Sequence, residues 1–143
     1  MITALDKNTA LILIDLQKAI LKRKTAHPVN EVIEKSAALL KAFRKAGLPI
    51  VIVSVNPFGA NWLNARKDEY GIPRGKATQT LLKIIMSVFG LLDTVKEIKT
   101  QADDIFIVKK NWNAFYNTNL HNELQKRSIT GVVLVGVSTS IGV

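Results

Sequence analysis

Apolar and polar positions follow two rhythms along this chain. Ala10-Leu11-Ile12-Leu13-Ile14 is an unbroken apolar run between Thr9 and Asp15. Its length suits a strand buried on both faces, as in a parallel sheet. Ile50 to Val55 repeats the pattern and is broken by Asn56-Pro57-Phe58-Gly59. Asp104 to Val108 and Thr130 to Val135 read as a third and a fourth strand. Between them the spacing is helical. Val32, Ile33, Ala37, Leu40 and Phe43 predict a helix from about Val29 to Ala46, with Asn30 as candidate cap and Gly47 then Pro49 as stops. Leu81, Leu82, Ile85, Val88, Phe89, Leu92 and Val95 predict another from Thr80 to about Ile98, with Gly90 as a point of interruption. A last helix is predicted over Thr118 to Lys126. Residues 16–28 read as a loop with a helical turn, and residues 59–79 as a long polar loop of the kind that often carries function.

Strands alternating with helices imply βαβ units. The expected architecture is α/β, a three-layer α/β/α sandwich around a mainly parallel, Rossmann-like sheet with four strands in this chain. No internal repeat or linker divides residues 1–143, so a single domain is expected. Ligands of such sheets sit outside the carboxyl ends of the strands. That rule selects Asp15 and Gln17, Asn56, Lys109 and the 136–143 loop.

Composition narrows the chemistry. There is no cysteine, which excludes disulfides, thiolate metal sites and a thiol nucleophile within this chain. The net charge is +9, from 20 basic and 11 acidic residues, but the basic residues are dispersed and no nucleic-acid-binding motif accompanies them. No apolar stretch approaches the roughly 18 residues a membrane span needs. The first residues lack a signal pattern, and a cytoplasmic location is expected. The partner expected is a small-molecule substrate, with no specific nucleic acid and no membrane. His27 and His121 lie far apart and have no ligand spacing. Neither a metal nor another cofactor is expected.

Three segments together resemble the isochorismatase-like (cysteine hydrolase) superfamily. They are Leu13-Ile14-Asp15-Leu16-Gln17, the run from Val108-Lys109 through Ala114-Phe115 to Thr118-Asn119-Leu120, and the terminal Gly136-Val137-Ser138-Thr139-Ser140-Ile141-Gly142-Val143. The resemblance implies Asp15 as general acid and base, Lys109 as its electrostatic partner, and Gly142 at the position where many members carry the nucleophilic cysteine. It implies substrate contacts from Gln17, Asn56, Trp112, Phe115, Ser138 and Thr139. It also implies an anion-binding pair of amides at Ser138 and Gly142, and a cis peptide bond at Val137–Ser138. The metal-binding nicotinamidase branch is not matched, because Asn56-Pro57-Phe58 stands where that branch has ligands. Complete members have six strands, so the domain is expected to be incomplete at its C-terminal end and its fourth strand to have an uncovered edge and face.

The function expected is hydrolysis of a small molecule without a thiol. Isochorismatases proper resemble this chain in having Ile-Gly in the loop, and vinyl ether hydrolysis needs carbon protonation followed by attack of water, which a carboxylic acid can serve. An amide or ester attacked by water fits the same residues. The rival expectation is a non-catalytic remnant that binds a small anion or serves oligomerisation. A homo-oligomer, dimer or higher, is expected in either case.

Overall fold

The computed structural model describes residues 6–22, 27–58, 60, 75–138 and 142–143. Its centre is the first apolar run. Thr9–Ile14 (β1) is buried at every position, because it lies between two neighbours and under helices on both faces. It pairs in parallel with Ile50–Val55 (β2) on one side and with Gly131–Gly136 (β4) on the other. Ile105–Lys109 (β3) pairs in parallel with β2, giving the order β3-β2-β1-β4.

Side-chain alternation divides the core into two clusters. Ala10, Ile12 and Ile14 point one way, with Val51, Val53, Ile105 and Ile107, and meet Leu120 and Leu124 of the helix Leu120–Lys126 (α4). Leu11, Leu13, Ile50 and Ile52 point the other way and meet Leu40 and Phe43 of the helix Val29–Lys45 (α2). Full burial of one such side chain stabilises by about 1.5–3 kcal/mol, so the β1 sequence alone goes far to fix this strand at the centre. The result is the expected three-layer α/β/α arrangement.

The edges are less well covered, and diagonally so. Phe106 and Val108 of β3 are exposed, while Ile105 and Ile107 on its other face are buried. In β4, Val132 and Leu134 are exposed, whereas Val133 and Val135 pack on the α2 side. Among the described residues, β3 is thus exposed on the α2 side and β4 on the α4 side.

Several boundaries differ from the sequence reading. Pro28, with φ −58°, stands at the cap of α2, and Asn30 lies inside its first turn. A proline ring presets φ and has no N–H to leave unsatisfied at a helix start. The next helix runs Lys76–Val88 (α3) rather than Thr80 to Ile98. Gly90 ends it in the left-handed conformation, φ +57°. The following residues run antiparallel to the segment after β1, through Ala19 N–H to Leu91, Lys18 N–H to Asp93 and Val95 N–H to Leu16. That segment includes a single turn of helix, Lys18–Leu21 (α1). The polar loop predicted over 59–79 falls largely on residues 59 and 61–74, outside the described residues, and residues 76–79 belong to α3. β3 extends one residue further than predicted and takes in Lys109.

Gly47 closes α2 with φ +67°, and a Cβ added there would meet nothing within 4 Å. Only backbone strain opposes a side chain at this position, at about 1–2 kcal/mol. Gly47→Ala should therefore lower unfolding stability by about 1 kcal/mol in urea titration. An unchanged or raised stability would show that the turn is not held in this conformation.

Candidate active site

The carboxyl ends of β1 and β3 bring two charged side chains together. β1 stops at Asp15, whose N–H still donates to Val53 O (2.9 Å) as the last rung of the ladder. Asp15 then adopts φ +56°, a left-handed conformation that costs an L-residue about 1–2 kcal/mol and that aspartate tolerates better than most. Lys109 sits two positions after Ile107, so alternation along β3 turns its side chain to the same buried face. From there it crosses the end of β2 and reaches Asp15.

The Lys109 side chain is 1% exposed, and its Nζ lies 2.9 Å from Asp15 Oδ2. It also donates to Trp112 O at 2.7 Å and to Gly142 O at 3.3 Å. Three acceptors thus meet the three protons of one ammonium, which is the condition for keeping such a charge out of water. Asp15 is less completely served. Its Oδ1 is buried and has no hydrogen-bond partner among the described residues. Burial holds the Asp15 carboxyl above the usual carboxylate range, against the opposing pull of Lys109.

Gly142 closes the site. A Cβ added to it would fall 2.9 Å from Asp15 Oδ2 and 3.2 Å from Lys109 Nζ. The glycine therefore lets the backbone lie directly against the ion pair. Asp15, Lys109 and Gly142, separated by up to 127 positions in the chain, form one constellation.

The remaining predicted residues are distributed unevenly around it. Gln17 is buried, with its amide fully engaged. Oε1 accepts from Val55 N–H (2.8 Å), and Nε2 donates to Val55 O (3.2 Å) and Leu92 O (2.6 Å). It ties the turn after β1 to the end of β2 and to the segment after α3. Asn56 accepts from Phe58 N–H through its side chain, and its own N–H donates to Lys109 O at 2.9 Å. It shapes the end of β2 beside the lysine. Trp112 contributes its carbonyl to Lys109. Trp112, Phe115, Ile12, Ile14, Leu134 and Gly142 lie along an apolar trough of about 360 Å³. Among the described residues neither Asp15 nor Lys109 lines it, and Gly142 and Trp112 link it to the ion pair.

Two expectations about the terminal loop are corrected. Ser138 is joined to Val137 by a trans bond, since no cis peptide occurs among the described residues; trans is favoured by about 3–4 kcal/mol for a non-proline bond. The Gly142 N–H is not presented to a ligand, because it donates to Ser138 O at 2.8 Å, closing a turn. Thr139 lies outside the described residues. Sequence reasoning also missed the acceptors of Lys109, the carbonyls of Trp112 and Gly142. Backbone groups leave no trace in residue types.

Known proteins share this pattern. A model of the isochorismatase domain matches residues 9–143. The chain belongs to the isochorismatase family. The isochorismatase family protein YecD of Escherichia coli O157:H7, itself uncharacterized, is 34% identical over 96% of this chain and 69% of its own length. The ureidoacrylate amidohydrolase RutB of Stutzerimonas stutzeri is 26% identical over 93% of this chain and 60% of its own length. The chain thus spans about two thirds of the length of such relatives. An isochorismatase family protein structure from Burkholderia thailandensis superposes with a TM-score of 0.72 at 28% identity, covering 97% of this chain and 69% of that one. The N-carbamoylsarcosine amidase of Thermoplasma acidophilum shares the fold, with a TM-score of 0.70 at 23% identity over 95% and 71%. This domain is accordingly that of an isochorismatase-family hydrolase, with glycine at position 142. No group of three or more metal-ligating side chains occurs among its described residues, nor any helix long and apolar enough to cross a membrane.

The ion pair makes stability depend on pH in a defined sense. Removing Lys109 leaves a buried carboxylate alone, which costs about 3–5 kcal/mol when the group is charged. Lys109→Met should show that loss near neutral pH. The loss should shrink on acidification, because the Asp15 proton, already held more tightly than usual in the fold, then neutralises the orphan. Urea unfolding of variant and wild type on both sides of the carboxylate range measures the difference. A penalty independent of pH would contradict the pairing.

Proposed function

We propose that this chain is a cytoplasmic, thiol-free hydrolase of a small molecule, with Asp15 as general acid and base and water as nucleophile. The observation that carries this reading is the absence of a side chain at Gly142 directly beside the Asp15–Lys109 pair. Where many family members have a nucleophile, this backbone leaves the carboxylate to act on its own.

Two bond types suit that arrangement. In a vinyl ether, Asp15 delivers its proton to the terminal alkene carbon. Water then adds to the resulting oxocarbenium carbon, and the hemiketal breaks its C–O bond to release an alcohol and a ketone. In an amide or ester, Asp15 takes a proton from the attacking water and returns it to the leaving nitrogen or oxygen. The amide option draws support from relatives named amidohydrolase and amidase. In both cases the proposed proton carrier is Oδ1, the carboxyl atom that Lys109 does not hold. Lys109 holds Oδ2 in place and balances the carboxylate charge. Gln17, Asn56, Trp112, Phe115 and Ser138 complete the proposed site, Gln17 and Asn56 by bracing strand ends and the others around the ligand; Thr139, also expected there, lies outside the described residues.

Pyruvate release from isochorismate and hydrolysis of ureidoacrylate are the assays to run. Asp15→Asn should lower turnover by about two orders of magnitude or more, the usual worth of a general acid or base. Wild-type turnover that persists in Asp15→Asn would refute the assignment. A wild type inert in both assays, with ligand binding kept within a few-fold by Asp15→Asn, would favour the non-catalytic alternative.

The vinyl ether route requires the protonated carboxyl. Its rate should fall as pH rises through the Asp15 value, and because burial raises that value the fall should come above the ordinary carboxylate range. A rate flat through that interval would exclude Asp15 as the acid.

A further inference from the structure

One buried side chain hydrogen-bonds to neither Asp15 nor Lys109 yet is tied to both through the backbone. Gln17 is 2% exposed. Its Oε1 accepts from Val55 N–H, and the two protons of its Nε2 go to Val55 O and Leu92 O. The amide thus holds Val55 by both backbone groups, as a neighbouring strand residue would. Val55 stands opposite Lys109 in the β2–β3 register. The next residue, Asn56, donates its N–H to Lys109 O. Along the chain, Gln17 lies two positions after Asp15, whose left-handed backbone (φ +56°) persists only where its surroundings hold it. The segment after α3 supports Gln17 from behind. Thr94 pairs with it, while Leu16 O accepts from Val95 N–H and Lys18 N–H donates to Asp93 O.

We propose that Gln17 is a positioning residue for the Asp15–Lys109 pair, its amide fixing the backbone that presents each partner. Its part in a reaction rests on the function proposed above; its hold on the pair does not. The bond from Asp15 N–H to Val53 O is the last backbone bond between β1 and β2 among the described residues, and the Gln17 amide is the next tie. Without it the turn that carries Asp15 and the end of β2 beside Lys109 are free to part. The carboxylate and ammonium are 2.9 Å apart, and a hydrogen bond of this kind does not survive a separation of about an ångström more. A direct contact with substrate suits Gln17 less well. The side chain is buried, and Oε1 and both protons of Nε2 are engaged with backbone. Glutamine is also the residue type the position demands, since one side chain must both accept from an N–H and donate to two carbonyls.

Gln17→Glu and Gln17→Met in the full chain test this. The signal to follow by NMR is the nitrogen–proton resonance of the Lys109 ammonium, identified by its loss in Lys109→Met. Burial and three acceptors should protect it from exchange in wild type. In Gln17→Glu the protonated acid still accepts from Val55 N–H and donates to one carbonyl, whereas the carboxylate sets its charge against both. The other charged groups on the two segments around it, Lys18 and Asp93, form an exposed pair with each other. Gln17→Glu should therefore match wild type at acidic pH and lose the ammonium signal as the introduced carboxyl ionises, above the ordinary carboxylate range because the position is buried. Gln17→Met should lack the signal throughout; if that variant does not fold, the pH series of Gln17→Glu decides. Where turnover is measured, ionised Gln17→Glu should lose about a hundredfold in kcat with KM kept within a few-fold, the mark of misplacement. Signals equal to wild type in both variants overturn the proposal, as does a wild type without the signal. So does a Gln17→Glu that unfolds on ionisation, which would make the amide merely structural, or one that raises KM and keeps kcat, which would make it a substrate contact. A wild type inert in both assays defeats the proposed function alone, and the ammonium signal still decides this inference.

Discussion

The buried pair of Lys109 and Asp15 is the interaction on which the upper end of this domain depends. An ammonium withdrawn from water is tolerable only when each of its protons finds an acceptor. Here the three acceptors come from three separate parts of the chain: the residue after β1, the loop after β3 and the loop after β4. The lysine is therefore a structural knot as well as a charge. It draws together the strand ends at which the sheet order changes direction. Asp15 bears the cost, with a strained backbone and, among the described residues, one carboxyl oxygen left without a partner. Strain and unsatisfied polarity of this kind cluster at functional sites.

The sheet explains why these residues meet. β1 lies inside, and β3 and β4 lie on its two sides. The connection from β3 to β4 crosses over the centre, so the loop after β4 arrives beside the end of β1 while Lys109 reaches in from the far side of β2. Gln17 serves the same end by different means. Past Asp15 the β1 backbone can no longer pair with β2, and the Gln17 amide supplies both the donor and the acceptor that Val55 would otherwise lack. A side chain replaces one rung of the ladder and keeps the turn closed.

Much of this was legible in the sequence. The central strand announced itself because burial on both faces demands an unbroken apolar run. The rule that parallel sheets place ligands at strand ends selected Asp15, Lys109 and the 136–143 loop, and the family resemblance singled out Gly142 within it; the structure brings the three together. Boundaries were less legible where two signals competed. Gly90 and the apolar residues beyond it, Leu92 and Val95, continue a helical spacing in sequence, yet the left-handed glycine redirects the chain and those residues line another segment. Asn30 is a better cap by composition than Pro28, but proline geometry decided the start. The state of the terminal loop was not legible at all. Whether the Gly142 N–H meets a ligand or Ser138 O depends on a turn of a few residues, and no residue type encodes that choice.

The contact between Gly142 and the ion pair bears on how such domains change chemistry. A cysteine at position 142 would bring its Cβ against Asp15 and Lys109 before its sulfur could be placed. Exchange between glycine and a thiol is therefore not a neutral single step in this backbone. The carboxyl end of Asp15 and the ammonium of Lys109 must shift to admit it, and that shift disturbs the pair beside which the thiol would stand.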